Sequence, residues 1–241
     1  MVNDSAADDP GPGEPTRAPR GAGGGSAGAK VSNPIFARVF ARLVALDDRS
    51  GQTEHRAELL AGLSGRVVEV GAGSGANFGH YPDGVDRVVA VEPEPYLRGL
   101  AVVAATELGR GSGPAVEVHD AVADELPVED QSAVAVVASL VLCSLPDPLR
   151  ALSEMARVVR PGGELRFYEH VRSLDEGSAR WQERLDVLWP RLFGNCHTSR
   201  DTAATITEAG WEVTEIRRLH IGPPKLPNPV APHIIGRAVR A

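Results

Sequence analysis

The chain has 241 residues, 42% of them hydrophobic, which suits one α/β core and leaves little for a separate substrate domain. A formal charge of −7, from 25 basic and 32 acidic residues with no long Lys/Arg run, argues against a nucleic-acid partner held through phosphates and favours a small or lipid-like ligand. Only two cysteines occur, Cys143 and Cys196, without C-x-x-C spacing, so neither a disulfide framework nor a zinc site is expected and the compartment is read as reducing, the cytoplasm.

Residues 1–30 are rich in Gly, Ala, Pro, Ser and Asp and hold no apolar run, so they are expected to be disordered, with one catalytic domain over 31–241. They also lack the apolar core of a secretory signal, and no stretch reaches bilayer-spanning length, so a soluble protein without stable membrane insertion is expected. Asn33-Pro34 is a cap followed by a first-turn proline, and Ile35, Phe36, Val39, Phe40, Leu43 and Val44 then recur at helical spacing. With a second helix over 54–60 this forms a helical lid at 33–62 that packs on the domain or roofs a pocket. Arg38 and Arg42 leave a weak membrane-surface contact as the lesser role.

Strands follow at 67–70 and 88–91, with a short helix near Asn77 between them, giving a βαβ unit. A helix over 95–108, a strand over 115–118 and an almost wholly apolar strand over 133–138 come next, the last buried on both faces. Leu149, Leu152, Met155, Val158 and Val159 mark a helix over 148–159 that stops at Arg160-Pro161-Gly162-Gly163 before a strand over 164–168. The stretch 172–197 is too long for a bare connector and reads as a helical insert over the pocket. Thr198 is expected to cap a helix running to Ala209, and strands over 213–219 and 234–239 close the sheet.

The most informative stretch is Glu69-Val70-Gly71-Ala72-Gly73-Ser74-Gly75, directly after a buried strand. Alternate glycines allow a sharp bend and a close ligand approach, and the amides of the next turn face that ligand. Gly71, Gly73 and Ala76 also satisfy G-x-G-x-x-[GA], with Glu92 roughly 20 residues on where a dinucleotide fold places its ribose-binding acid. S-adenosylmethionine, by contrast, has no phosphate and carries a sulfonium, an ammonium and a carboxylate. Glu69 sets a carboxylate near the loop, which favours the ammonium and disfavours a pyrophosphate. The loop therefore reads better as one for S-adenosylmethionine. An NAD-dependent oxidoreductase accounts for Gly71, Gly73, Ala76 and Glu92 but leaves Glu69 and the missing substrate domain unexplained.

Glu69-x-Gly71-x-Gly73-x-Gly75, an acid after the second strand, Arg160-Pro161-Gly162-Gly163 and a closing strand pair together resemble class I S-adenosylmethionine-dependent methyltransferases, over roughly residue 54 to the C-terminus. Gly75-Ala76-Asn77-Phe78 with Tyr81-Pro82, Leu140-Val141-Leu142-Cys143-Ser144, Tyr168-Glu169-His170-Val171, Leu192-Phe193-Gly194-Asn195-Cys196 and Pro232-His233-Ile234 are similar, more narrowly, to the methyltransferase-like alkyl thiol methyltransferases of animal endoplasmic reticulum and lipid droplets. Those relatives carry a hydrophobic N-terminal anchor where this chain has a polar tail, so membrane residence does not carry over. The resemblance implies a Rossmann-like seven-stranded sheet with an antiparallel last strand, helices on both faces, and the cofactor across the carboxyl ends of the first strands. It implies cofactor contacts at Glu69, Gly71, Gly73, Gly75, Asn77 and Leu142, ribose hydroxyls on Glu92, and adenine near Asp120, Ala123 and Asp124, with the choice between the two acids open.

Methyl transfer from a sulfonium is an in-line displacement that annihilates charge, so aligning the acceptor in a water-poor pocket outweighs acid–base power. His170, with Glu169 beside it as an orienting or cofactor-side carboxylate, is the catalytic candidate; a structural histidine is the plainer alternative. Cys143 and Ser144 fall against the methyl-bearing end of the cofactor, and Trp181, Trp189 and Phe193 either wall an apolar acceptor pocket or fill core. The adjacent pair Cys196-His197 supplies neither the ligand count nor the spacing of a zinc site, so no metal is expected. His220 and His233 are secondary candidates. The expectation is a methyltransferase that turns S-adenosylmethionine into S-adenosylhomocysteine with a small, rather apolar acceptor, an alkyl thiol first. A quinone- or lipid-type C/N/O-methyltransferase is the nearest alternative.

Overall fold

Apolar alternation builds a sheet covered on both faces. In β1 (Gly65–Val70), Val67 packs into one core cluster while Val68 and Val70 pack into another. The same division separates Val88 and Ala90 from Val89 and Val91 in β2 (Val85–Val91), and Ala135 and Val137 from Val136 and Ala138 in β4 (Ala133–Ser139). Successive strand side chains point to opposite faces, so near-continuous apolar runs specify strands buried on both sides. With β3 (Ala115–His119), β5 (Val159–His170), β6 (Trp211–His220) and β7 (Pro232–Arg240), the sheet runs β3-β2-β1-β4-β5-β7-β6. The first five strands pair in parallel, and β7 is antiparallel to both β5 and β6, as the resemblance implies.

This computed structural model describes residues 37–38, 41–42, 52–111, 113–222 and 228–240. The expected tail at 1–30, the Asn33-Pro34 cap and most of the expected lid helix lie outside the described residues. Around the sheet lie α1 (Gln52–Leu60), α2 (Pro95–Leu108), α3 (Pro148–Val158), α4 (Glu176–Leu185), the short α5 (Trp189–Leu192) and α6 (Thr202–Glu208). Acidic caps start four of them: Glu94 accepts from Leu97 N, Asp147 from Arg150 N, Asp175 from Ser178 N and Asp201 from Ala204 N. Each such cap stabilises its helix by about 1 kcal/mol. In α3, Ala151, Leu152, Met155 and Val158 form the buried stripe that presses on the sheet. Among the described residues no helix is long and apolar enough to cross a membrane.

Two sequence expectations shift. Thr198 caps no helix; it is fully buried and its hydroxyl donates to Gln182 O at 3.1 Å, while Asp201 takes the capping role immediately before Thr202. Arg160-Pro161-Gly162-Gly163 lies inside β5 rather than before it. Ala133 pairs with Val159 and Ala135 with Glu164, so the four residues bulge out between two paired positions of one strand.

Strand order reverses between β1 and β4, and the carboxyl ends of β1, β4 and β5 bring Gly71, Leu140 and His170 to one edge of the sheet. Ligands of open α/β sheets bind in that crevice.

Candidate active site

The glycine turn is forced by close neighbours. Gly71, Gly73 and Gly75 have φ of 65°, 57° and 81°, in the left-handed region. A Cβ on Gly71 would lie 2.3 Å from Val141 Cγ2, and one on Gly75 2.7 Å from the Phe78 ring. Glu92, at the end of β2, secures the turn: one carboxylate oxygen accepts from Gly73 N and the other from Glu94 N, each at 2.9 Å. Burial raises this carboxyl above its usual range. Each oxygen has two lone pairs, so one on each remains for a diol.

Glu69 turns inward instead of facing an open ligand side. It is 2% exposed; one oxygen accepts from Asn77 Nδ2 at 2.9 Å and the other from the Tyr81 hydroxyl at 2.7 Å. Arg56 Nη1 donates to Asn77 Oδ1 at 2.8 Å, completing a buried chain Arg56–Asn77–Glu69–Tyr81 beneath the turn. Burial pushes the Glu69 carboxyl up to about 7. Arg56 and Tyr81 were not singled out from sequence, although Tyr81 lies within the motif that carries the resemblance.

Of the two acids near the expected adenine loop, Asp120 pairs with Arg98 at 2.9 Å, and Asp124 pairs with Arg150 at 3.1 Å. Arg98 also donates to Glu92 O and Pro93 O, each at 2.9 Å, so Asp120 is tied to the backbone just after β2 while Asp124 is tied to α3. Ala123 is buried between them in sequence, at the edge of the core.

On the acceptor side, Glu169 is not a partner of His170. Neighbours on a strand project to opposite faces, and Glu169 is fully buried, accepting from Val141 N and Leu142 N at 2.9 Å and from Cys143 N at 3.2 Å. It clamps the segment after β4 through backbone amides, and none of its hydrogen bonds orients the His170 ring. Burial raises its carboxyl, and the three amide donors oppose that rise. Leu142 lies in the core, its amide on Glu169 and its carbonyl accepting from Arg200. Leu140, which starts this segment, has φ of 59° and donates its amide to Tyr168 O at 2.7 Å, a strained backbone next to the glycine turn.

His170 occupies the other face of β5, 5% exposed, with Nε2 2.8 Å from Cys196 Sγ. Cys143 Sγ completes a group whose three atoms all lie within 4.8 Å of one another. Both cysteines are free thiols, and the hydrogen bond with Cys143, together with burial, pushes the Cys196 thiol up. Chain spacing does not reveal this grouping: Cys196 meets His170, whereas its neighbour His197 turns away to Asp186 Oδ2 at 2.8 Å. Ser144 Oγ lies 3.5 Å from Cys143 Sγ.

The insert is fastened to the segment after β4 through backbone carbonyls. Arg200 donates to Leu142 O and Leu145 O, Asn195 Nδ2 to Ser144 O at 2.8 Å, and His197 N to Cys143 O at 2.9 Å. Trp189 and Phe193 stack at 3.9 Å between ring centroids, partly exposed, while Trp181 stands separately on α4 and is 37% exposed. His233 is buried: it stacks on Tyr168 at 5.2 Å and lies edge-on to His170 at 6.1 Å, and burial lowers its imidazole to about 4. His220 is exposed at the end of β6, where it pairs with Pro232 beside His233.

Buried carboxylates under and beside a glycine turn, in a sheet closed by an antiparallel strand, place the molecule among the class I S-adenosylmethionine-dependent methyltransferases. Residues 68–167 match the methyltransferase domain family. The human thiol S-methyltransferase TMT1B is 35% identical over 184 residues, covering 75% of this chain and 74% of that protein. Human TMT1A is 36% identical over 183 residues, covering 75% and 73%. A solved S-adenosylmethionine-dependent methyltransferase from Methanosarcina mazei superposes with a TM-score of 0.57 at 20% identity, covering 73% of this chain and 92% of its own. The chain belongs to the thiol S-methyltransferase family.

Proposed function

We propose that this enzyme moves the methyl group of S-adenosylmethionine onto the sulfur of a small, rather apolar alkyl thiol, giving a thioether and S-adenosylhomocysteine. The observation that carries the reading is the His170 imidazole at the carboxyl end of β5, its Nε2 2.8 Å from a sulfur atom. A sulfur atom is already accommodated at this imidazole, which supports a thiol acceptor. A free thiol has a pKa near 8.5, so a neighbouring base or a local positive field is enough to supply thiolate near neutrality. The transfer then depends on alignment. In this reading Gly71, Gly73 and Gly75 line the methionine and ribose, Glu92 accepts from the ribose hydroxyls, and the partly exposed Trp189–Phe193 stack borders the apolar entry.

The test is methyl-labelled donor offered with a panel of alkyl thiols, quinones and phospholipids, alongside calorimetric titration with S-adenosylmethionine, S-adenosylhomocysteine and NAD. Label in thioether and binding of the sulfonium pair are expected. Label confined to a quinone or a phospholipid overturns the acceptor reading.

A further inference from the structure

We propose that Cys143, His170 and Cys196 form a three-ligand site for a zinc-type divalent cation whose fourth position takes the acceptor thiolate. The inference rests on the thiol reading above and supplies a means of holding the acceptor as thiolate. Three segments converge to make the site: the loop after β4, the last residue of β5 and the loop after α5. Their Sγ, Nε2 and Sγ atoms lie within 4.8 Å of one another.

A tetrahedral ion with bonds of about 2.3 Å to sulfur and about 2.0 Å to nitrogen sets its ligand atoms roughly 3.5–3.8 Å apart. The 2.8 Å contact between His170 Nε2 and Cys196 Sγ must open by somewhat under 1 Å, and the other separations lie within 4.8 Å. The backbone that presents them is fixed, because Cys143 N bonds Glu169, Cys143 O accepts from His197 N, and Cys196 N bonds Phe193 O at 3.1 Å. Two thiols and an imidazole select zinc-like cations over magnesium or calcium. Three protein ligands with one open position is the arrangement of catalytic zinc, as distinct from closed structural sites.

The charges balance the chemistry. Two thiolates and a neutral imidazole bring a divalent cation to zero, and a substrate thiolate in the fourth position makes the assembly singly negative, opposite the sulfonium. The acceptor R–SH gives its proton to solvent on binding. Its sulfur then attacks the methyl carbon, and the pair in the breaking C–S bond returns to the donor sulfur to leave neutral S-adenosylhomocysteine. The new thioether is a weak ligand and departs. At pH 7 a thiol of pKa about 8.5 is roughly 3% ionised, so holding it as thiolate raises the reactive fraction by about thirtyfold.

The test is cobalt(II) titration of the reduced, full-length protein. One equivalent is expected to give the visible bands of a tetrahedral thiolate site and a near-ultraviolet sulfur-to-metal transition, to be displaced by zinc, and to shift when an alkyl thiol is added. Cys143→Ser and Cys196→Ser must each cut the sulfur transition to about half or less while binding S-adenosylhomocysteine by calorimetry, which shows that they are folded. His197→Ala, whose ring bonds Asp186, must retain it. Absence of the transition, its undiminished intensity in Cys143→Ser, or a Cys143–Cys196 disulfide whose reduction restores no cobalt site would overturn the proposal. So would bands that ignore the thiol. Thiol methylation is expected to fall about thirtyfold after chelation; full activity in the stripped enzyme overturns the ion and leaves the thiol reading standing, whereas no labelled thioether at any metal loading sinks that reading itself.

Discussion

Glu69→Gln isolates the buried chain beneath the glycine turn. The carboxyl ordinarily titrates at 4.5 and is pushed up to about 7 here by burial, against bonds from Tyr81 and Asn77 and the charge of Arg56. Between those two values the folded protein holds a proton that the unfolded chain releases. Stability is therefore fully present below 4.5 and falls as pH rises through about 7, by about 3 kcal/mol at ~1.4 kcal/mol per unit. Glutamine keeps the shape: its oxygen accepts from Asn77, and its amide donates to the Tyr81 oxygen, which can turn from donor to acceptor. The variant lacks the proton, so it should match the parent near pH 4.5 and exceed it by about 3 kcal/mol above pH 8. In urea that separates the midpoints by about 1 M for a domain of this size. Equilibrium unfolding of both proteins at several pH values reads the difference directly, since all other groups cancel. Midpoints that move in parallel from pH 4.5 to pH 8 would refute a proton stored at this carboxyl.

Gly71→Ala should cut S-adenosylmethionine affinity at least tenfold in a calorimetric titration, because its Cβ lies 2.3 Å from Val141 Cγ2 at a φ of 65°. Unchanged affinity would mean that the turn yields without cost. Glu169→Gln turns an amide donor toward one of the three amides the carboxylate now satisfies; a loss of about 1–3 kcal/mol is expected, with faster hydrogen exchange confined to residues 141–143. Exchange spread evenly over the sheet would deny the clamp. His170→Gln should lower thiol turnover at least tenfold while leaving cofactor affinity intact, as measured with labelled donor and by calorimetry. Undiminished turnover would remove His170 from the chemistry.

The strands were legible because Val67, Val68, Val88 and Val89 sit in short runs buried on both faces, a pattern that needs no tertiary information. α2 was placed to the residue by Pro95 at its start, whereas the start of α6 was missed, because Thr198 and Asp201 are both capping residue types and only burial under Gln182 removes the first from the contest. Glu169 and His170 looked like a pair because they adjoin in the chain, yet the pleat sends them to opposite sides of the sheet. The thiol–imidazole cluster was beyond reach for the converse reason: residues 143, 170 and 196 share no spacing, and only the fold brings them together. Glu69 stood out in the sequence as a carboxylate beside the glycine turn, but its inward turn follows from Arg56 and Asn77, one of which lies before β1.

Arg200, Asn195 and His197 hold the loop after β4 only by the carbonyl oxygens of residues 142–145. Every amino acid carries that oxygen. At Ser144 the attachment therefore runs through the chain and not through its lettering, and that residue can be exchanged for a larger or smaller one without unfastening it, whereas the thiol of Cys143 also hydrogen-bonds that of Cys196. A lineage, or an engineer, can rewrite that one position codon by codon while the fastening beneath it stays closed.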